Sequence, residues 1–233
     1  MNQKYDICLD RVQPQILGRS QKGQDAFIKR IFDIIDTGNK TFVEFGAHDG
    51  YSMSNTVYLR DSGWKGLLID CEYENLDINL QKRRLTKDNI VNIFKELNVL
   101  KDVDFISIDT DGNDYWLLKE ILKEYTPRLV QIESNVRFDP DVSLVKKYDE
   151  NFAWDGIQWY GASPLAYKKL FNLNNYTIVY IHEDDIFAVN NNYLTDETIN
   201  RNWSEIYPKD RWHIYRPHFD HIKAIDYNIF TQV

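Results

Sequence analysis

Four short apolar runs in this chain each close on a carboxylate, and that repetition constrains the fold more than any other feature. They are Thr41-Phe42-Val43-Glu44, Gly66-Leu67-Leu68-Ile69-Asp70, Asp104-Phe105-Ile106-Ser107-Ile108-Asp109 and Arg128-Leu129-Val130-Gln131-Ile132-Glu133. Continuous runs, unlike alternating ones, predict strands covered on both faces, which is the signature of a parallel sheet. The first run enters Gly46-Ala47-His48-Asp49-Gly50, where two glycines four residues apart let bare backbone approach a ligand at a strand's carboxyl end. Neither G-x-G-x-x-G nor G-x-x-x-x-G-K-[ST] occurs here, and an acid beside the turn would repel phosphates. A small ligand carrying positive charge suits the turn better than a pyrophosphate.

Helical spacing fills the intervals. Phe27, Ile28, Ile31, Phe32 and Ile35 predict a helix stopped by Thr37-Gly38-Asn39, and a short helix through Leu59 ends near Ser62-Gly63. Thr86-Lys87-Asp88-Asn89 opens a helix with Ile90, Ile93, Phe94 and Leu97 on one face. Thr110-Asp111-Gly112-Asn113 caps another carrying Leu117, Leu118, Ile121 and Leu122, which Pro127 follows. Ser163-Pro164 starts a further helix, and 176–181 with 186–189 reads as a terminal antiparallel hairpin around His182-Glu183-Asp184-Asp185. Strand–helix alternation implies right-handed crossovers and a ligand crevice at the strands' carboxyl ends. Residues 71–85 are poorly patterned.

A length of 233 residues with 43% hydrophobic content suits one α/β domain: a helical lead-in over 1–40, a core over 41–190 and an arm over 191–233. A formal charge of -8, with only Lys82-Arg83-Arg84 as a basic cluster, argues against a nucleic-acid partner. Cys8 and Cys71 form no metal-type or disulfide pattern, and the polar N-terminus shows no signal or membrane segment. The expectation is a soluble cytoplasmic protein.

Acids that converge in one crevice suit a ligand bearing an ammonium, a sulfonium and a ribose diol. The chain resembles the S-adenosylmethionine-dependent methyltransferases, and more narrowly their FkbM-type branch. The resemblance lies in Ser20-Gln21-Lys22-Gly23-Gln24-Asp25, Glu44 to Gly50, Ser54-Asn55-Thr56, Gly63 to Asp70 and Ile108 to Asp114, in that order. It implies a Rossmann-like class I methyltransferase fold with helices on both faces of the sheet. It also implies cofactor contacts from Glu44, Gly46, Ala47, His48, Asp49, Gly50, Asn55, Asp70, Cys71 and Asp109. Asp70 would take the ribose hydroxyls, Gly46 to Gly50 the methionine portion, and Asp109 the ammonium or reacting centre. Residues 71–85 would have to supply a compressed helix and strand, with Asp88 and Asn89 as adenine candidates.

If the acceptor is a hydroxyl, a nearby base has to take its proton, and the candidates are Asp109, Asp111, Glu133 and His48. His48 could instead stabilise its loop, and Asp111 could simply cap the next helix. Asp109, Asp111 and Glu133, with Asn135 nearby, also form an oxygen-rich set suited to Mg²⁺. Trp154, Trp159 and Tyr160, with Asn135, are candidate acceptor contacts, since aromatic faces bind the C–H surface of sugar rings. The arm, with Trp203, Trp212, Tyr215, His213, His218 and His221, reads as a packing element, a lid or a homodimer contact. The first expectation is therefore an O-methyltransferase acting on a glycan or related small molecule. The alternatives are a metal-dependent hydrolase or phosphotransferase on the same carboxylates, or a non-catalytic binding module.

Overall fold

The structure is a computed structural model and describes residues 3–7, 9, 19–154, 160–209 and 226–233. In chain order its elements begin with α1 (Gln24–Ile35), β1 (Thr41–Phe45), α2 (Val57–Asp61), β2 (Lys65–Asp70), β3 (Leu80–Lys82) and α3 (Ile90–Glu96). They continue with β4 (Phe105–Ile108), α4 (Asp114–Ile121), β5 (Leu129–Glu133), β6 (Leu144–Lys146) and α5 (Pro164–Leu173). The last are β7 (Tyr176–His182), β8 (Asp185–Asn190), α6 (Asp196–Ile199), α7 (Trp203–Ile206) and β9 (Phe230–Gln232).

Seven strands form one sheet in the order β3-β2-β1-β4-β5-β8-β7. The pairs from β3 through β5 are parallel, while β8 runs antiparallel to both β5 and β7. This is a mostly parallel, Rossmann-like α/β sheet with a C-terminal antiparallel hairpin, the arrangement expected from the sequence. The apolar runs are continuous because consecutive residues face two different cores. Val43, Phe45, Ile106, Ile108, Val130 and Ile132 pack with α3, α4 and α5, whereas Phe42, Leu68, Phe105 and Leu129 pack with α1.

Two local features depart from the sequence reading. The poorly patterned stretch holds a single 3-10 turn at Leu76–Ile78 and the three-residue β3, which is a compressed version of a helix plus strand. A separate antiparallel pair, β6 with β9, was not anticipated. The arm packs against the body within its described part, since Trp203 Nε1 donates to the Pro140 carbonyl at 3.1 Å and Tyr207 Oη to that of Val136 at 3.1 Å.

Both sides of the sheet converge on the carboxyl ends of β1, β2, β4 and β5. The Thr86–Asn89 start of α3 closes by reciprocal bonds, with Thr86 N donating to Asn89 Oδ1 at 2.8 Å and Asn89 N to Thr86 Oγ1 at 3.2 Å. Ser163 caps α5 through Ala166 N, with Pro164 in the first turn.

Candidate functional site

A cleft of about 1180 Å³ opens at these strand ends. Its first wall is the turn after β1. Gly46 has φ +65°, and a Cβ there would lie 1.7 Å from the Asp109 carbonyl oxygen, so only glycine lets the β1 and β4 loops meet. The amide of His48 then donates to Asp70 Oδ2 at 2.9 Å. Asp70 Oδ1 accepts from Glu72 N at 2.7 Å and Tyr73 N at 3.2 Å, so the acid ties the first loop to the second. An ionised carboxylate offers about four acceptor sites, and these three bonds leave one, on Oδ2, for a hydroxyl donor.

Several expected cofactor contacts have a different local role. Glu44 is buried beneath the 54–56 loop, where it accepts from Asn55 N at 2.7 Å, Ser54 Oγ at 2.8 Å and Thr56 Oγ1 at 2.5 Å. Burial pushes its carboxyl up despite these bonds. Asn55 is also buried, and its amide donates to Ser107 Oγ at 3.1 Å. Asp49 closes its own turn by accepting from Ser52 N at 2.7 Å and Tyr51 N at 2.8 Å, which holds it at about 2. None of these three lines the cleft, nor does Gly50; Gly46, Ala47, His48, Asp70, Cys71 and Asp109 do. Cys71 is exposed, with its thiol raised by partial burial and then by Asp70.

The adenine candidates Asp88 and Asn89 are not on the wall either, because Asn89 is spent on the α3 cap and on the Arg84 carbonyl at 3.0 Å. Arg83, Arg84 and Leu85, directly after β3, line that side instead. Arg83 and Arg84 belong to the basic cluster Lys82-Arg83-Arg84, but no periodicity places it, since a three-residue strand carries none.

The floor is acidic. Carboxylate oxygens of Asp109, Asp111 and Glu133 lie within 4.8 Å of one another. Asp111 does not cap α4. Asp114 braces that turn, accepting from Thr110 N at 2.7 Å and Gly112 N at 3.0 Å, while Asp111 stands exposed at φ +56°. Glu133 Oε1 accepts from Tyr160 Oη at 2.8 Å, and its Oε2 is buried without a partner. Burial and then the neighbouring Asp109 push Glu133 well above the usual carboxylate range, and burial followed by Asp114 does the same to Asp109. Three converging oxygen donors, one of them orphaned, fit a hard divalent cation.

An aromatic wall brings together Trp154 and Tyr160, whose ring centroids are 5.0 Å apart, and Phe152, whose ring lies against Gly112 so closely that a Cβ there would come within 2.4 Å. Lys146 Nζ stands 3.6 Å from the Phe152 centroid and braces it from behind. Asn135 is buried and off the wall, its amide donating to the Tyr160 carbonyl at 2.9 Å. Trp159 lies outside the described residues, as do Cys8, Trp212, His213, Tyr215, His218 and His221.

Sequence reasoning assigned no role to Gln21, Lys22, Arg137, Phe152 or Asp184, all of which line the cleft. The Ser20–Asp25 string was the available signal. Beneath the floor a buried polar row crosses the sheet. Asn55 donates to Ser107, Ser107 Oγ to Gln131 Oε1 at 2.6 Å, and Gln131 Nε2 to Asp185 Oδ1 at 2.6 Å. Gln24 Nε2 reaches the other Asp185 oxygen at 2.7 Å. Asp185 is nonetheless pushed up to about 7 by burial and then by Asp184.

No protein-family model matches the chain, and no curated protein matches it. Among solved structures it is similar to a putative O-methyltransferase from Klebsiella pneumoniae, at 13% identity over 76% of this chain and 84% of that one, TM-score 0.41. It is similar also to an O-methyltransferase from Bacillus cereus in complex with SAH, at 17% identity over 73% and 81%, TM-score 0.43. A third is the MycE methyltransferase of the mycinamycin pathway, in complex with Mg and SAH, at 10% identity over 77% and 50%, TM-score 0.39.

Proposed function

We propose that the chain transfers the methyl group of S-adenosylmethionine to a hydroxyl oxygen of a small hydroxylated acceptor, a sugar or related metabolite. The observation that carries this reading is the convergence in one cleft of a bare glycine turn at Gly46, a carboxylate with spare acceptor capacity at Asp70, and the Asp109–Glu133 pair. The Gly46–His48 backbone would approach the methionine portion, and Asp70 would accept from a ribose hydroxyl. Trp154, Tyr160 and Phe152 offer apolar faces to the C–H surface of an acceptor ring. The ordered strings from Ser20 to Asp114 favour the FkbM-type branch.

In the reaction, the acceptor oxygen forms a bond to the methyl carbon as the carbon–sulfur bond breaks, its electron pair staying on sulfur. Holding the reacting atoms about 3 to 3.5 Å apart supplies much of the acceleration. The hydroxyl proton leaves to the Asp109–Glu133 pair, whose affinity for protons burial and neighbouring carboxylates raise above the ordinary carboxylate range. Asp109, Asp111 and Glu133 are also the residues that would hold Mg²⁺, which when bound lowers the pKa of a coordinated hydroxyl and orients it. Activity that survives exhaustive EDTA treatment would remove the metal and leave the carboxylate base.

The deciding experiment is a thermal-shift titration. Saturation at about 100 times the dissociation constant stabilises a protein by about 2.7 kcal/mol. No shift with either S-adenosylmethionine or S-adenosylhomocysteine would overturn the reading.

A further inference from the structure

We infer that Lys22 sets the electrostatic balance of the cleft and thereby governs how strongly the protein prefers the sulfonium cofactor over its neutral thioether product. The inference rests on the cofactor reading above and adds a residue to it.

Eight carboxylates and four lysine or arginine side chains line the cleft among the described residues. Two of those cations are drawn aside on the β3 flank: Arg83 lies 3.6 Å from Glu96, and Arg84 donates to the Glu150 carbonyl at 2.6 Å. Arg137 sits over the Tyr160 ring at 5.2 Å and also feels the charges of Glu133 and Asp184, so Lys22 acts on the floor beside it. Lys22 instead serves the hairpin. Its ammonium is 2.6 Å from both Asp184 oxygens and 3.8 Å from Glu183.

The backbone that carries Lys22 is fixed at several points. Ser20 bridges to Met53 beside the glycine turn, His182 Nε2 lies 2.8 Å from the Lys22 carbonyl, and Gln24 holds Asp185. The ammonium is therefore a built charge with a defined place, not a waving surface lysine. Its reach extends to the floor, because Asp184 is among the charges that push both Asp109 and Glu133 up. By neutralising Asp184, Lys22 weakens the negative field there.

S-adenosylmethionine carries one positive charge more than S-adenosylhomocysteine and otherwise nearly the same atoms. The ratio of their dissociation constants thus reports the local potential and cancels general damage to the pocket. A unit charge about 10 Å away changes such an equilibrium by about two- to fifteenfold, depending on screening.

Calorimetric titration of both nucleosides against wild type, Lys22→Met, Lys22→Arg and the double variant Lys22→Met/Asp184→Leu tests this at low salt. Lys22→Met should shift the ratio toward S-adenosylmethionine by a factor in that range. Lys22→Arg should leave it unchanged, and the double variant, which removes one charge of each sign, should restore it. Equal weakening of both ligands in Lys22→Met would overturn the inference and make Lys22 a structural clasp. So would a shift that persists in the double variant, which also serves if Lys22→Met alone fails to fold. A wild-type protein that binds neither nucleoside sinks the cofactor reading itself; normal wild-type binding with an unmoved ratio sinks only the role of Lys22.

Discussion

Gly46 and Asp109 meet backbone to backbone across neighbouring strand ends, with no room between the glycine Cα and the aspartate carbonyl for a single carbon atom. The approach fixes the position of the Asp109 side chain relative to the first turn, so one residue without a side chain sets the geometry of another that carries chemistry.

Gly46→Ala should accordingly lose about 3 kcal/mol of stability or more, from a positive φ and a backbone overlap together. Thermal unfolding measures the loss. A stable Ala variant that still binds S-adenosylhomocysteine like wild type would contradict the packing described for the turn.

Asp70→Ala separates binding from folding. Its backbone bonds lie at a solvent-exposed loop junction, so unfolding should shift little, while cofactor affinity should fall about tenfold to a hundredfold with loss of a charge-assisted bond to the ribose. Unchanged affinity by calorimetry would refute the ribose assignment.

The acidic floor gives stability an unusual pH dependence. Glu44, Asp109, Asp111, Asp114, Glu133 and Asp185 all sit above their ordinary values, chiefly through burial. Each then binds a proton in the folded chain at pH values where the unfolded chain has released it. Stability should therefore decline as pH rises from the ordinary carboxylate range through the folded pKa, a window that for Asp185 runs from 3.8 to about 7. Asp49, held at about 2, acts oppositely but only below that window. Calorimetry of the EDTA-treated protein should show Tm falling between pH 5 and 8, and a steady rise would sink the account.

Glu133→Gln tests the same floor by substitution. The amide oxygen can still accept from Tyr160, one of the crowded charges is gone, and the variant should be about 1 kcal/mol more stable than wild type at pH 8 while losing activity. Destabilisation of similar size would show that the ionised carboxylate is better compensated than described.

At the opposite end of the strands, Asp104 is buried and held by Arg128 Nε at 3.1 Å and by the amides of Gly38 and Lys40, each at 2.8 Å. Arg128→Met leaves that charge without its cation and should cost about 3 kcal/mol. Cofactor affinity, measured well below the lowered Tm, should not change, because the pair lies at the end of the strands away from the cleft.

The sheet was legible from sequence because its parallel strands are buried on both faces and read as solid apolar runs. Strand β3 was not, since of its three residues only Leu80 is buried, and β6 and β9 pair across most of the C-terminal third. At the site, the strand-end acids were visible, but not which way each one turns. Glu44 looks like Asp70 in sequence, yet serine and threonine hydroxyls ten and twelve residues later draw it inward. Lys22 and Asp184 are 162 residues apart, a pairing that no local pattern can announce.

The polar row beneath the floor has a consequence for redesign. Asn55, Ser107 and Gln131 pass each hydrogen bond in one direction toward Asp185, and Gln24 closes the line from the other side. Reversing a single amide along it would set donor against donor at the next step. The two flanks of the cleft therefore behave as a matched set, and a search for altered ligand preference is better spent on Trp154 and Phe152, which lie outside that line, than on any residue within it.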